Sequence, residues 1–415
     1  MTGPDHAAAP RRVPVVLFAV VVAMVGINVR ASLGAVPPLL PDITGELALS
    51  NTQAGLITAL AVAALGLSAP LGHRLGARIG AESATAWCLA LLCVAQLARA
   101  LPAGTGLLFA TTVAAGAAMG AASSMVPALI SAVARGSRGL LMGIYSAGMS
   151  IGVAAAAALA VPLERVLGGW RPSLAAWGVL AAFATLLWTL TMVGRRGPSG
   201  APPPVRTGAA LERRLPWSSR AARLVTAFFT LQMMIGYGCM AWLLPLYLDL
   251  GRSTDEAAGL FVLFQISPLV AMLVLPPLTD LVKDRRPVLL VAVGCNAVGL
   301  AMLLVAPLAL AVPAVVLIGL GCGGGSTLAL VLVADVTDSV GDGSRLTAMT
   351  MVAGNGLGAL SPLVLGVVKD VTGSFVPGIA LLLVAAAAMG LLVPHFRRGL
   401  RLVDGPVPTG GPSGP

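Results

Sequence analysis

One arginine stands inside an apolar run, and its chemistry is the most specific signal in the sequence. Arg30 follows Asn28 in a run that begins at Val13. At about 1.5 Å per helical residue, Arg30 would lie roughly 25 Å along a first span, beyond the middle of a bilayer on its outer side. A guanidinium facing lipid there costs about 2.5 kcal/mol or more. Because it presents a planar fork of donors, we predict that Arg30 binds an anionic or strongly polar solute. Asn28 is a weaker candidate, since it projects in another direction.

The alternative is that Arg30 reaches the external interface or pairs with Asp42 or Glu46. Against this, the residues at helical spacing around Arg30 include Gly26 and Gly34, which would leave room beside the guanidinium. The sequence favours the solute-binding interpretation and leaves the other open.

Three further polar residues are candidate solute contacts. Ser123 continues a stripe of small residues in the fourth apolar segment, and such stripes either pack helices closely or line a cavity. Gln232 and Tyr237 supply an amide and a hydroxyl in the seventh segment. A run of glycines at 323–325 in the tenth segment predicts close packing, with a flexible break as the alternative.

Two charged segments after the second and eighth spans resemble short hinge loops. The first contains Arg74 and Arg78, and the second contains Asp280 and Arg285. We predict that these loops bridge neighbouring helices in one conformation and release them in another. The alternative is that their positive charges only set the topology.

The sequence shows no catalytic or metal-binding set, and we expect neither an enzyme nor a cofactor. The five cysteines fall in apolar segments without the spacing of a zinc or redox site. The net charge of +10 is spread between apolar runs, which argues against nucleic-acid binding. We expect a small-molecule solute and the lipid bilayer as partners of a monomer.

The elements that must position these residues are transmembrane helices. Hydrophobic residues make up 57% of the chain and charged residues 10%, against about 25% charged in soluble domains. Most apolar segments are long enough to cross about 30 Å of hydrocarbon as helices. We predict an all-α polytopic membrane protein of about twelve spans, near 13–40, 51–72, 80–101, 104–133, 140–163, 170–193, 221–248, 256–280, 287–307, 311–334, 346–368 and 375–395.

Charge distribution and repeats predict how these spans are organised. With the amino terminus inside, 20 of the 26 Lys and Arg residues are cytoplasmic and 5 are external, as the positive-inside rule requires. Leu39-Leu40-Pro41 recurs as Leu243-Leu244-Pro245, which indicates two related halves. We predict an inner-membrane protein with both termini cytoplasmic, comprising a six-helix bundle at 1–193, a linker at 194–220, a second bundle at 221–396 and a tail at 397–415.

These features together resemble the major facilitator superfamily and, within it, the cyanate/nitroimidazole transporter family. The resemblance rests mainly on Asn28-Val29-Arg30, the run from Pro38 to Asp42, and Gly139 to Tyr145. The sequence departs from the family where Ser123 replaces an expected Asn, and the first hinge, at Gly72-His73-Arg74, lacks the usual acid.

The resemblance implies secondary active transport of a small polar or anionic organic solute by alternating access. A multidrug efflux carrier of the same fold is the main alternative. The paired glycines Gly148 and Gly152 of the fifth segment lack the Gly-Pro signature of proton-drug antiporters, which argues against it. A membrane sensor that does not transport is a weaker possibility.

Overall fold

The protein is a bundle of long helices in the part of the chain that the computed structural model describes, residues 15–133, 137–192, 215–282, 284–397 and 400–402. Two short 3-10 turns lie at Ala98–Ala100 and Val393–His395. The helices are α1 Val15–Leu47, α2 Asn51–Ile79, α3 Ala81–Leu97, α4 Thr105–Val133, α5 Arg138–Leu167, α6 Trp170–Met192, α7 Arg220–Asp249, α8 Thr254–Leu281, α9 Arg286–Val305, α10 Ala311–Val336, α11 Val340–Gly358, α12 Leu360–Thr372 and α13 Val376–Leu392.

Twelve spans in the described residues are long and apolar enough to cross a membrane, which confirms the predicted fold class. Helices α11 and α12 form a single span, 341–372, interrupted at Ala359. Pro362 explains the interruption, because proline has no N–H to bond the carbonyl four residues before it. The run 323–325 lies within the continuous helix α10, so the expected packing is confirmed and the flexible break is not observed.

Two boundary predictions were wrong. Helix α1 continues beyond residue 40 to Leu47, with Pro37, Pro38 and Pro41 inside it. Helix α2 continues to Ile79, and only Gly80 separates it from α3, so the predicted first hinge is helical rather than a loop. Of the predicted linker at 194–220, residues 194–214 lie outside the described residues, as do 398–399 and 403–415 of the tail.

The helices form two halves, α1–α6 and α7–α13, that repeat one packing pattern. In the first half α1 packs on α5, α2 on α4, and α3 on α4 and α6. In the second half α7 packs on α11, α8 on α10, and α9 on α10 and α13. The corresponding pairs are the same, so the sequence repeat reflects a structural one. We call the end where α1 begins and α13 ends the terminal face, and the end where α1 meets α2 the distal face.

Helices α1 and α5 approach each other closely through glycines. A Cβ atom on Gly34 would lie 3.0 Å from the carbonyl carbon of Val153 and 3.1 Å from its Cα. A Cβ atom on Gly148 would lie 2.7 Å from the carbonyl oxygen of Ala23. Small residues let helix backbones approach in this way, and the contact fixes the height of Arg30 against α5.

Gly34→Ala is therefore expected to lower the stability of the protein by about 1–3 kcal/mol, because the methyl group meets rigid backbone. Gly45→Ala is the matched control on the same helix, since a Cβ atom there meets nothing within 4 Å. Thermal unfolding of the purified variants in detergent checks this. Equal melting temperatures for the two variants would contradict the packing argument.

The two halves are joined at the distal face. The carboxylate of Asp370 accepts four hydrogen bonds from the start of α2, from the Asn51 N–H (3.0 Å) and Nδ2 (2.8 Å) and the Thr52 N–H (2.7 Å) and Oγ1 (2.6 Å). Arg165 of the first half pairs with Asp255 of the second at 2.6 Å. We call the contact between Asp370 and the start of α2 the distal latch.

Toward the terminal face the halves have separate cores. The main cluster of buried apolar residues spans both halves, whereas a second cluster belongs to the second half alone and includes Val225, Phe228, Leu332 and Met349. The described ion pairs near the terminal face, such as Arg285 with Asp335, also stay within one half. Among the described residues, the hydrogen bonds and ion pairs that join the halves at a face of the bundle lie at the distal face, which is therefore closed.

Candidate functional site

Arg30 lies at the middle of α1 and belongs to no ion pair in the described part of the chain. It is residue 16 of the 33 in α1, so it stands close to the midpoint rather than on the outer side. Its side chain is half-buried. Among the residues that the structure describes, neither alternative partner, Asp42 or Glu46, pairs with Arg30. Glu46 binds the indole N–H of Trp170 and the guanidinium of Arg171, and Asp42 is exposed.

Gly26 and Gly34 do not leave the open space beside Arg30 that the sequence predicted. Gly26 and Gly34 both face the backbone of α5, where added Cβ atoms would collide with Tyr145 and Val153. The prediction that these glycines leave space for the guanidinium was therefore wrong. Their small size serves helix packing, and Arg30 emerges beside that packed seam.

Two residues of the first half lie near Arg30. The guanidinium is close enough to influence the Tyr145 hydroxyl electrostatically, and the Ser123 hydroxyl lies near the same group. Ser123 donates its own hydrogen bond to the Met119 carbonyl at 2.7 Å. The Tyr145 hydroxyl is buried and has no hydrogen-bond partner. The Tyr145 hydroxyl is therefore a polar group beside the arginine that makes no hydrogen bond of normal geometry and has Ser123 as a neighbour.

The second half contributes Tyr237 and Asn355 to the same place. The Tyr237 hydroxyl lies close to the Arg30 guanidinium and donates a hydrogen bond to Asn355 Oδ1 at 2.7 Å. Asn355 also faces the first half, because a Cβ atom on Gly66 of α2 would lie 2.9 Å from Asn355 Cβ. Arg30, Ser123, Tyr145, Tyr237 and Asn355 thus form a polar group between the halves, which we call the central cluster.

The two remaining predicted contacts lie elsewhere in the bundles. Gln232 is fully buried inside the second half, where its Oε1 accepts a hydrogen bond from Asn296 Nδ2 at 3.0 Å. Asn28 is buried and donates to the Met24 carbonyl at 2.9 Å, and its Oδ1 has no partner. The structure therefore does not bring Gln232 to Arg30, and the Asn28 side chain is bonded back along its own helix.

The predicted gating residues are positioned near the terminal face. Arg74 and Arg78 are exposed on the last turns of α2. Arg285 precedes α9 and binds Asp335 of α10 through Nε at 3.0 Å, which bridges neighbouring helices. Asp280 lies on the last turn of α8, and its side chain is outside the described residues.

Sequence reasoning missed two members of the central cluster. Tyr145 and Asn355 each lie in an apolar span, and the chain has only three tyrosines. A lone hydroxyl or amide inside an apolar span was the available signal, but it does not show which direction the side chain faces. No group of three or more His, Cys, Asp or Glu residues in the described chain is arranged to hold a metal ion.

Comparison with known proteins identifies the fold. A sequence model of the Major Facilitator Superfamily matches residues 16–362, most of the chain. The chain belongs to the major facilitator superfamily. The 2-nitroimidazole transporter of Escherichia coli (strain K12) is 29% identical over 374 residues, covering 89% of this chain and 93% of the relative. The cyanate transport protein CynX of the same organism is 27% identical over 316 residues, covering 76% and 80%.

A solved structure shows the same architecture. The crystal structure of the nucleoside transporter NupG matches with a TM-score of 0.72 at 13% identity, covering 91% of this chain and 99% of that one. The resemblance predicted from the sequence is confirmed. This superfamily member is a multi-pass membrane protein of a transporter family, which implies a small-molecule solute and a lipid environment.

Proposed function

We propose that this protein is a secondary active transporter of a small polar or anionic organic solute, with Arg30 as the principal contact. The observation that carries the proposal is an unpaired, half-buried guanidinium in the middle of a span, between the two halves. Such a charge inside a membrane is costly unless it faces a cavity or a ligand. Transporters with two repeated halves bind solutes at this position.

The chemistry of the central cluster favours a compact group with two electronegative atoms. The guanidinium offers two parallel donors, and the unpartnered Tyr145 hydroxyl can add a third. The two relatives are named for cyanate and for 2-nitroimidazole. Cyanate is a small linear anion, and a nitro group presents two oxygens in one plane, so both solutes suit a fork of donors.

Contacts from both halves give the solute a way to drive the conformational change. Arg30 and Tyr145 belong to the first half, and Tyr237 and Asn355 to the second. A solute bound between them favours the arrangement in which both sets of groups reach it, and rocking of the halves then exposes the site alternately to each side. In this scheme Arg285 and Asp335, together with Arg74, Arg78 and Asp280, act on the terminal face.

Transport by reconstituted protein tests the proposal. Proteoliposomes are loaded with buffer, and uptake of radiolabelled cyanate, 2-nitroimidazole and small carboxylates is measured with and without an ion gradient. We expect saturable uptake of at least one of these solutes. Uptake of none of them, together with saturable transport of large hydrophobic cations, would replace the proposal with the multidrug alternative.

We further propose that the protein lies in the cell membrane with its terminal face in the cytoplasm. The reason is that 20 of the 26 Lys and Arg residues of the sequence belong to the terminal-face side. Reporter fusions after Arg196 and Arg398, two positions outside the described residues, check this orientation. Both fusions should be active with a cytoplasmic reporter and silent with a periplasmic one. A periplasmic signal from either position would reverse the assignment.

A further inference from the structure

A second arginine is buried inside the first half, away from the central cluster. Arg99 lies in the 3-10 turn that follows α3, near the distal face, and only 4% of its surface is exposed. Charge counting on the sequence places it on the external side, at the end of the predicted 80–101 span, but the structure turns its side chain inward. Its guanidinium contacts Ser32 Oγ of α1 and Thr112 Oγ1 of α4, each at 3.3 Å.

The surroundings of Arg99 contain donors but no countercharge. None of the ion pairs among the described residues includes Arg99, and its Nε has no hydrogen-bond partner. The hydroxyls of Ser32 and Thr112 accept from the guanidinium and donate to no described group. Other helical hydroxyls, such as those of Thr111 and Ser123, donate to a carbonyl of their own helix.

A buried amide lies beside this group. Gln96 is three residues before Arg99, which places it on the same side of the helix, and it is 1% exposed. Neither its Nε2 nor its Oε1 has a partner. A buried charge without a countercharge and a buried amide without hydrogen-bond partners are both costly, so the described residues alone leave the site incomplete.

We propose that Arg99, Ser32 and Thr112 form a binding site for one small inorganic anion, with chloride as the representative ligand. The anion accepts hydrogen bonds from the guanidinium and the two hydroxyls and balances the buried charge. A single arginine without a second basic partner matches a monovalent ion. The exposed segment 100–104 directly follows Arg99, so an ion would enter from the distal face.

This site is distinct from the central cluster. Ser32 and Arg30 are two residues apart on α1, which at about 100° per residue places them on roughly opposite sides of the helix. Arg30 faces Tyr237 of the second half, whereas Ser32 faces Arg99 within the first half. An ion at Arg99 therefore braces α1, α3 and α4 against one another and does not occupy the solute site.

Chloride binding to the purified full-length protein tests the proposal. Radioactive chloride is measured by scintillation proximity, and thermal stability is measured as chloride replaces gluconate at constant ionic strength. We expect saturable binding and a chloride-dependent rise in melting temperature in the wild type and in Arg30→Gln. Arg99→Gln should remove both effects. Thr112→Val and Ser32→Ala keep the arginine and should each raise the apparent Kd for chloride at least about tenfold. These two variants test the proposal if Arg99→Gln does not fold.

Two results would overturn the proposal. One is the absence of saturable chloride binding in the wild type, which would mean that water alone completes the site. The other is chloride binding that is lost in Arg30→Gln and kept in the Thr112→Val, Ser32→Ala or Arg99→Gln variants, which would assign the anion to the central cluster. Neither result depends on the identity of the transported solute.

Discussion

Arg30→Gln is expected to lower the affinity for the transported solute at least about 100-fold while the protein still inserts and folds. Hydrogen bonds to charged groups contribute about 1.5–3 kcal/mol each, and each 1.4 kcal/mol is a factor of ten. The substitution removes the charge and both parallel donors. No described ion pair is broken, because Arg30 takes part in none, so the loss should fall on binding rather than on stability.

Two further variants separate charge from geometry. Arg30→Lys keeps the charge but loses the planar fork, so it should still bind the solute much more weakly than the wild type. Tyr237→Phe removes the hydroxyl that bonds Asn355 and lies beside Arg30, and a smaller loss of about tenfold is expected. Equilibrium binding to the purified proteins measures both.

Arg252→Gln is the matched control. Arg252 lies at the distal face and binds Glu256 and the Leu308 carbonyl within the second half, remote from the central cluster. Its removal should leave solute affinity unchanged. If Arg30→Gln bound the solute as tightly as Arg252→Gln does, Arg30 would not be the solute contact and the buried amide of Gln232 would become the next candidate.

Asp370→Ala is expected to open the distal face. The substitution removes all four hydrogen bonds of the distal latch, including two from N–H groups at the positive end of α2. The bonds are exposed, so their combined contribution is limited to about 1–2 kcal/mol, a roughly tenfold shift in population. We expect the ratio of molecules with a closed distal face to molecules with an open one to fall about tenfold.

Distances between spin labels at Val166 and Val305 report this change. Both side chains are exposed at distal ends of helices in different halves, and the five native cysteines are first replaced. In Asp370→Ala a population with a longer distance should grow. Asp249→Ala is the control, because it breaks the pair with Lys369 inside the second half only. An identical response of the two variants would refute a latch between the halves.

The helices were predictable because their signal is local. About 20 apolar residues in a row can only form a span, and repeated segments such as Leu39-Leu40-Pro41 show how the spans are grouped. The ends were less predictable. Proline near the end of an apolar run usually ends a helix in water. Helix α1 nevertheless continues through Pro37 and Pro38, which are buried in the bundle, and through the half-buried Pro41.

Side-chain direction and partners between helices could not be predicted in the same way. Arg30 was recognisable because charge in an apolar span is rare, but Tyr237, the residue of the second half beside it, lies 207 positions later in the chain. Gln232 and Tyr237 are both polar residues of α7. Only the packing of α7 directs Gln232 into the second half and Tyr237 toward Arg30. The burial of Arg99 was missed for the same reason, since its position near the end of the predicted 80–101 span indicates the external interface.

The most direct test of the account is an experimental structure of the protein with a transported solute bound. We expect an electronegative atom of the solute within about 2.7–3.1 Å of the Arg30 guanidinium, between Tyr145 and Tyr237. Solute density inside the second half beside Gln232, with no contact to Arg30, would contradict the central claim.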